Sequence, residues 1–269
     1  MRLSKIRSPP SQWIQQSARC CVVVQNASFR GASRMRCVAL IQCRLGSTRL
    51  PGKVLKEING MPLVVHIYRR LLACKELDSV VISWGTVNRE TAERELEGTL
   101  GKYALYSWSS PNQNDLIQRH LGASALVMAD AFVRITGDCL FHDPSQIDAM
   151  VADYRKHYPK YRGLTNWGHG RIVSEGLDAE IYSTELLAEL DRDPKCPRED
   201  FATYAASNGY ACQWGWTPYV SQYSAVNEHL SIDTQEDFDR AEKMLKILGN
   251  DEWRYEKTLE AYRQVTGVS

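Results

Sequence analysis

From Met35 onward the chain alternates short apolar runs with amphipathic stretches of helical period, and this order restricts the fold more than any other feature. The apolar runs predict strands at about Cys37 to Gln42, Ser79 to Trp84, Lys102 to Tyr106, Ala131 to Ile135, Glu180 to Tyr182, Ala211 to Trp216 and His229 to Ile232. Between them, helices are predicted at about Pro62 to Ala73, Arg89 to Gly98, Asn114 to Met128, Pro144 to His157, Ser183 to Asp191, Arg198 to Ser207 and Thr234 to Leu248, with a last one from Trp253 to Tyr262. Strand and helix in alternation need crossover connections. The expected architecture is therefore α/β, three layers in the order α/β/α around a mostly parallel sheet. The stretch 158–177, with Gly163, Gly168, Gly170 and Gly176, departs from the alternation and is read as an inserted loop or small subdomain, a candidate lid, in one domain spanning 35–269.

In an open parallel sheet, ligands bind beyond the carboxyl ends of the strands, so chemistry is sought in the loops that follow them. Three are unusual, those after Gln42, Ile135 and Ile232. The first, Cys43-Arg44-Leu45-Gly46-Ser47-Thr48-Arg49-Leu50-Pro51-Gly52-Lys53, gathers three cations, two glycines and two hydroxyls. Glycines allow backbone amides to approach a phosphate, and Arg and Lys supply the charge a triphosphate needs. The loop is neither a Walker A site, since Val54 stands where a magnesium-binding Ser or Thr would be, nor a dinucleotide fingerprint. Its bland alternative is a solvated basic turn.

The second loop carries Thr136-Gly137-Asp138-Cys139 and the third Asp233-Thr234-Gln235-Glu236-Asp237. Each places an acid at a strand's carboxyl end, where Asp138 and Asp233 could share a hard cation such as Mg²⁺ that bridges substrate phosphates. Asp233 has a second reading, because Asp before Thr-x-x-Asp also caps a helix. Asp143, before Pro144, reads as a cap. Asp178 and Glu180 flank Ala179 and would face one side of an extended chain, toward sugar hydroxyls or the metal, or simply toward solvent. His120 and His142 are candidate general bases, though a lone histidine is more often a packing residue. Trp167 could cover a ligand, while Trp214 and Trp216 read as core.

Composition excludes other classes. No apolar run approaches the ~18 residues that cross a bilayer. The net charge of +1 hides a basic leader: residues 1–34 hold Arg2, Lys5, Arg7, Arg19, Arg30 and Arg34 and no acid. Removing those six of the 33 bases leaves 27 against 32 acids, a balance of −5 that argues against a general nucleic-acid binder. Residues 1–34 are Ser- and Arg-rich and without periodicity, and are expected to be disordered, either a start placed too early or a transit peptide. The eight cysteines show no C-x-x-C pair and read as reduced thiols of a cytoplasmic protein.

Taken together, these motifs resemble the cytidylyltransferases that activate acidic sugars such as KDO and acylneuraminates, in the branch related to spore-coat polysaccharide cytidylyltransferases. The resemblance runs in order through QCRLGSTRLPGKVL, Gly60-Met61-Pro62-Leu63, NDLIQRH, VRITGDC, Thr165-Asn166, EGLDAEIYS, Arg198-Glu199-Asp200 and LSIDTQEDF, most of Met35 to Leu248. It implies a nucleotide-diphospho-sugar transferase, Rossmann-like fold and transfer of CMP from CTP to a sugar or sugar acid with release of pyrophosphate, in surface glycan synthesis. It further implies Arg44, Leu45, Gly46, Ser47, Arg49, Lys53, Asp115, Arg119 and Gly137 on the nucleotide, with Arg44, Lys53 and Asp138 catalytic. Asp138 and Asp233 would hold Mg²⁺, and Asp178 and Glu180 would face the sugar. Relatives of this kind are often homodimers. The sequence departs from the common pattern at Leu140, Gln235 and Asp200, where Pro, Pro and His are frequent. The phosphate and metal positions keep their charges, while acceptor identity stays open. Two alternatives remain: a nucleotide-sugar-dependent glycosyltransferase of the same fold, against which the basic loop speaks, and a non-catalytic nucleotide-binding relative.

Overall fold

A computed structural model of the chain describes residues 34–85, 107–110, 112, 114–167, 173–213 and 228–268, with 107–110 in backbone only. The expectations for residues 1–33, the helix at Arg89 to Gly98, the strand at Lys102 to Tyr106 and the residues Trp214 and Trp216 lie outside these.

The described strands are β1 (Cys37–Arg44), β2 (Glu57–Ile58), β3 (Met61–Pro62), β4 (Ser79–Gly85), β5 (Ser107–Ser110), β6 (Ala131–Thr136), β7 (Gly163–Thr165), β8 (Glu180–Ser183) and β9 (Cys212–Gln213). The α-helices are α1 (Leu63–Leu72), α2 (Leu116–Leu126), α3 (Pro144–His157), α4 (Thr184–Arg192), α5 (Phe201–Ser207), α6 (Gln235–Leu248) and α7 (Tyr255–Thr266). Seven strands form the main sheet in the order β5-β4-β1-β6-β8-β7-β9, and β2 and β3 make a separate hairpin. The run β5-β4-β1-β6 is parallel, β8 is antiparallel to both β6 and β7, and β7 and β9 are parallel.

The period of two along β1 explains the layering. Cys37, Ala39, Ile41 and Cys43 pack into one core with residues of α1, α3, α6 and α7; Val38 and Leu40 pack into a second with residues of α2, α4 and α5. Helices thus cover both faces of a mostly parallel sheet, as the alternation of elements requires. Asp143 caps α3 through a hydrogen bond from the Ser145 amide, with Pro144 in the first turn. The six described cysteines are free, five of them buried, and burial pushes the Cys43 thiol up to about 12.

Two expectations need amendment. The apolar run His229 to Ile232 forms no strand in the main sheet and makes only an isolated bridge from His229 to Glu175. Its backbone groups are satisfied one at a time instead: the Leu230 amide donates to Glu175 O and the Ile232 amide to Asp138 O. The stretch 158–177 contributes β7 to the main sheet, and its residues 168–172 lie outside the description. No described helix is long and apolar enough to cross a membrane.

The parallel register places the site. Because Gln42 of β1 stands opposite Thr136 of β6, the loops after both strands leave the sheet side by side. They touch at Gly137, whose amide donates to Gln42 O at 3.0 Å. A Cβ there would lie 2.8 Å from Cys43 Sγ and 3.2 Å from Gln42 O, so glycine is what lets the two loops meet. Gly176, at φ +95°, performs the same service for the 228–233 segment, since a Cβ would fall 2.3 Å from the Ser231 amide.

Candidate active site

The loop after β1 folds back on itself. The amides of Ser47 and Gly52 both donate to Leu45 O, and Ser47 Oγ accepts from the Leu50 amide at 3.3 Å. Gly52, at φ +65°, turns the chain into the short 3₁₀ turn Lys53–Leu55. This turn is anchored by buried Leu50 and Val54, and it presents Lys53 inward while Arg44, Gly46 and Arg49 remain exposed.

Lys53 is the centre of the site. Its Nζ donates to Asp138 Oδ2 at 2.9 Å, to Asp233 Oδ1 at 3.0 Å and to the Ile232 carbonyl at 2.7 Å. Arg49 meets Asp233 Oδ1 from the solvent side at 2.9 Å. Three loops, each following a strand-like segment of a different part of the chain, therefore converge on one ammonium. Burial pushes the Asp138 carboxyl up, but Lys53 and hydrogen bonds involving Thr136 and its own backbone outweigh it and hold the group below its ordinary value. Asp138 is thus an anion throughout the neutral range.

The structure excludes the capping reading of Asp233. The α6 cap is Thr234, which accepts from the Asp237 amide, while the Asp237 carboxylate accepts from the Asp233 and Thr234 amides in a capping box. Asp233 precedes the cap and keeps its carboxylate for Lys53. Burial disfavours the Asp237 charge, yet these amides, Arg240 and the Thr234 hydroxyl bring it down to about 2. A carboxyl lowered in the folded state contributes stability that is fully present above the unfolded value near 4 and is lost as pH falls toward 2. At neutral pH this amounts to about 2 kcal/mol. Asp237→Asn is accordingly expected to lower the melting temperature by about 4–8 °C at pH 7, with the gap to wild type closing as the pH is taken down to 2, read by calorimetry.

The donor set fits a hard divalent cation. Two aspartate carboxylates reach one point, and Mg²⁺ is commonly held by one or two carboxylates together with substrate phosphates. Among the described residues no group of three or more His, Cys, Asp and Glu converges, so a cation here would need oxygens from a ligand.

The remaining predicted residues fall into two groups. Asp115 caps α2 by accepting from the Gln118 amide, and it pairs with Arg198 at 2.9 Å. Arg119 is buried and donates to the carbonyls of Cys43 and Ser83, tying the ends of β1 and β4 together; burial, then Arg134 and Arg44, lower it to about 10. Glu180 is also buried: it pairs with Arg134 and accepts from Tyr182 Oη at 2.8 Å and Trp167 Nε1 at 3.2 Å. Asp178, half-buried, lies on the same segment beside Asn166, whose Oδ1 accepts from the Ala179 amide. His120 and His142 are both packed in the interior. Burial, reinforced by Arg119 and Arg134, holds His120 well below its usual value, and burial with Arg70 lowers His142 to about 3. As bases for a bound substrate both are out of reach.

Sequence reasoning missed two participants. Arg134 joins Glu180 to Gln42, to which its Nε donates at 2.6 Å, and its signal was a charge in the otherwise apolar Val133-Arg134-Ile135. The Ile232 carbonyl, which receives Lys53, leaves no side-chain signal at all.

Comparison with known proteins identifies the family. Residues 38–264 match the sequence profile of the cytidylyltransferase family. Two 8-amino-3,8-dideoxy-manno-octulosonate cytidylyltransferases, from Shewanella piezotolerans and Shewanella sp. strain ANA-3, are 24% and 29% identical over 78% of this chain and 85% of their own. A solved cytidylyltransferase structure from Leptospira borgpetersenii superposes with a TM-score of 0.73 at 27% identity, covering 86% of this chain and 95% of the other. A CMP:2-keto-3-deoxy-manno-octonic acid synthetase solved with CTP shares the fold, at a TM-score of 0.59 and 14% identity over 80% of this chain and 99% of that one. The match covers the Lys53 loop and both aspartate loops, and the chain belongs to the cytidylyltransferase family, an enzyme of the nucleotidyltransferase class.

Proposed function

We propose that this enzyme transfers CMP from CTP to a hydroxyl of an eight-carbon sugar acid, with Mg²⁺, releasing pyrophosphate. The observation that carries the proposal is the convergence of Asp138 and Asp233 on Lys53 beside the glycine-containing basic loop. The names of the Shewanella relatives support the acceptor class, since both act on an octulosonate derivative.

In this reading Arg44, Ser47 and Arg49, with the backbone of Leu45 and Gly46, receive the triphosphate; Gly137 keeps the neighbouring loop close. The acceptor hydroxyl oxygen bonds to the α-phosphorus, the bond from that phosphorus to the bridging oxygen of the β-phosphate breaks, and the hydroxyl proton passes to solvent. Lys53 and Arg44 offset the charge that builds on departing pyrophosphate. Asp138 and Asp233 would hold Mg²⁺, which supplies charge neutralisation and alignment of the phosphates. Asp178 faces the acceptor. Glu180, which accepts from Trp167 and pairs with Arg134, forms with Trp167 the wall behind it. Asp115 and Arg119 frame the nucleotide side by fixing α2 and the ends of β1 and β4.

Mass spectrometry of reactions with CTP, Mg²⁺ and a panel of acceptors tests this reading. A CMP adduct is expected with 3-deoxy-octulosonate or its 8-amino form and none with neutral hexoses. An adduct formed on a neutral sugar alone would refute the acceptor class.

A further inference from the structure

Asp233 is held from two sides, and only one has a place in the account above. On the backbone side its amide is fixed by Asp237. On the side-chain side, its second oxygen, Oδ2, accepts from Ser231 Oγ at 3.4 Å, and Ser231 Oγ lies 3.2 Å from His229 Nε2. The opposite ring nitrogen, His229 Nδ1, lies 3.1 Å from Glu175 Oε2. The ring is fixed further by its own backbone: Arg240 donates to His229 O at 2.9 Å, and the same Arg240 binds Asp237. Glu175, His229, Ser231 and Asp233 all lie outside the regular elements. The bridge between Glu175 and His229 and the close seat of Gly176 on Leu230 and Ser231 hold the two segments together, so the polar chain spans a junction that the sheet does not enforce.

A metal-binding carboxylate is only as well aimed as the groups that bond its other oxygen. Lys53 and Arg49 both take Oδ1 of Asp233, which leaves Ser231 as the one described partner of Oδ2. Ser231 is buried, while the His229 and Glu175 side chains are 39% and 45% exposed. They contribute little to a core, and a packing role does not account for their alignment.

We infer that Ser231 and His229, anchored by Glu175, are positioning residues that set the orientation of the Asp233 carboxylate for cation binding. This rests on the proposal that Asp138 and Asp233 hold Mg²⁺. Neither residue touches substrate; both act through Asp233.

The test is calorimetric binding of CTP without acceptor, once with saturating Mg²⁺ and once in EDTA, for wild type, Ser231→Ala, His229→Ala and the double variant. The readout is the factor by which Mg²⁺ tightens CTP binding. Each single variant is expected to cut that factor roughly tenfold, with the CTP affinity in EDTA unchanged within about twofold and the melting temperature nearly unchanged. The double variant is expected to lose little more than either single one, since both break the same chain. A wild-type Mg²⁺ factor in Ser231→Ala, or full additivity in the double variant, would overturn the inference. A wild-type enzyme whose CTP binding ignores Mg²⁺ would instead bring down the metal reading, and the inference with it.

Discussion

Replacing Lys53 with alanine is expected to lower kcat by about 10²- to 10³-fold, because no other described cation reaches both aspartates from inside the site. The same change removes the counter-charge from two carboxylates that face one point. Arg49 remains, but 65% of its side chain is exposed and, among the described residues, it pairs with Asp233 and not with Asp138. Breaking a mostly buried ionic cluster by deleting the one interior cation among the described residues costs about 1–3 kcal/mol after allowance for that exposure. The fold survives such a loss, so circular dichroism should match wild type while the melting temperature falls by several degrees. The Asp138 carboxyl, now facing Asp233 without the ammonium between them, moves upward, and the acid side of the stability profile moves to higher pH with it. Wild-type turnover in Lys53→Ala would remove Lys53 from the mechanism.

Asp233→Asn is expected to have the next largest effect, and its signature differs. Asparagine keeps an oxygen at the site but gives up the charge, so the Mg²⁺ concentration for half-maximal rate should rise by tenfold or more and kcat/KM should fall by about 10²-fold. Stability should change little. The cluster holds two anions and one interior cation, and removing one anion leaves a balanced pair between Lys53 and Asp138. Asp138→Asn should behave alike. A stability loss at Lys53 with little change at the aspartates, and activity falling in all three, separates a catalytic ionic centre from a structural one. An Asp233→Asn enzyme with unchanged Mg²⁺ dependence would remove that carboxylate from the metal site.

Most of the architecture was legible because it is written in periodicity. The unbroken apolar run of β1 and the alternation of helices about it predict a covered parallel sheet, and β4, β6, α1, α3 and α6 lie where the pattern puts them. The direction of β8 was not legible, since a strand's own residues do not say which way its neighbour runs; it is antiparallel to β6. The His229 to Ile232 run misleads for a related reason. Its apolar residues are buried as a strand's would be, but its amides and carbonyls are taken up by Glu175, Asp138, Lys53, Arg240 and Tyr262 in place of a ladder.

The site was legible where charge stands next to glycine at a strand's end. Arg44 to Lys53 and Gly137-Asp138 follow that rule, and the register of β1 with β6 brings them together. Asp233 carried two readings because capping and ligation use the same residue type, and only coordinates could show that Thr234 does the capping. Arg119 and Glu180 illustrate the limit. Sequence marks a charged residue near a site, but whether it faces the ligand or holds the frame depends on partners far along the chain. Here those are the carbonyls of Cys43 and Ser83 for the first and Arg134 for the second.

The most direct test of the account is continuous measurement of pyrophosphate release by the wild-type enzyme with each nucleoside triphosphate, with and without 3-deoxy-octulosonate, in Mg²⁺ and in EDTA. Release is predicted with CTP, acceptor and Mg²⁺ together, and loss of signal when any one of them is left out or CTP is replaced. Equal release with UTP, release without an acceptor, or an undiminished rate in EDTA would contradict the assignment of a Mg²⁺-dependent cytidylyl transfer to the Lys53, Asp138 and Asp233 centre.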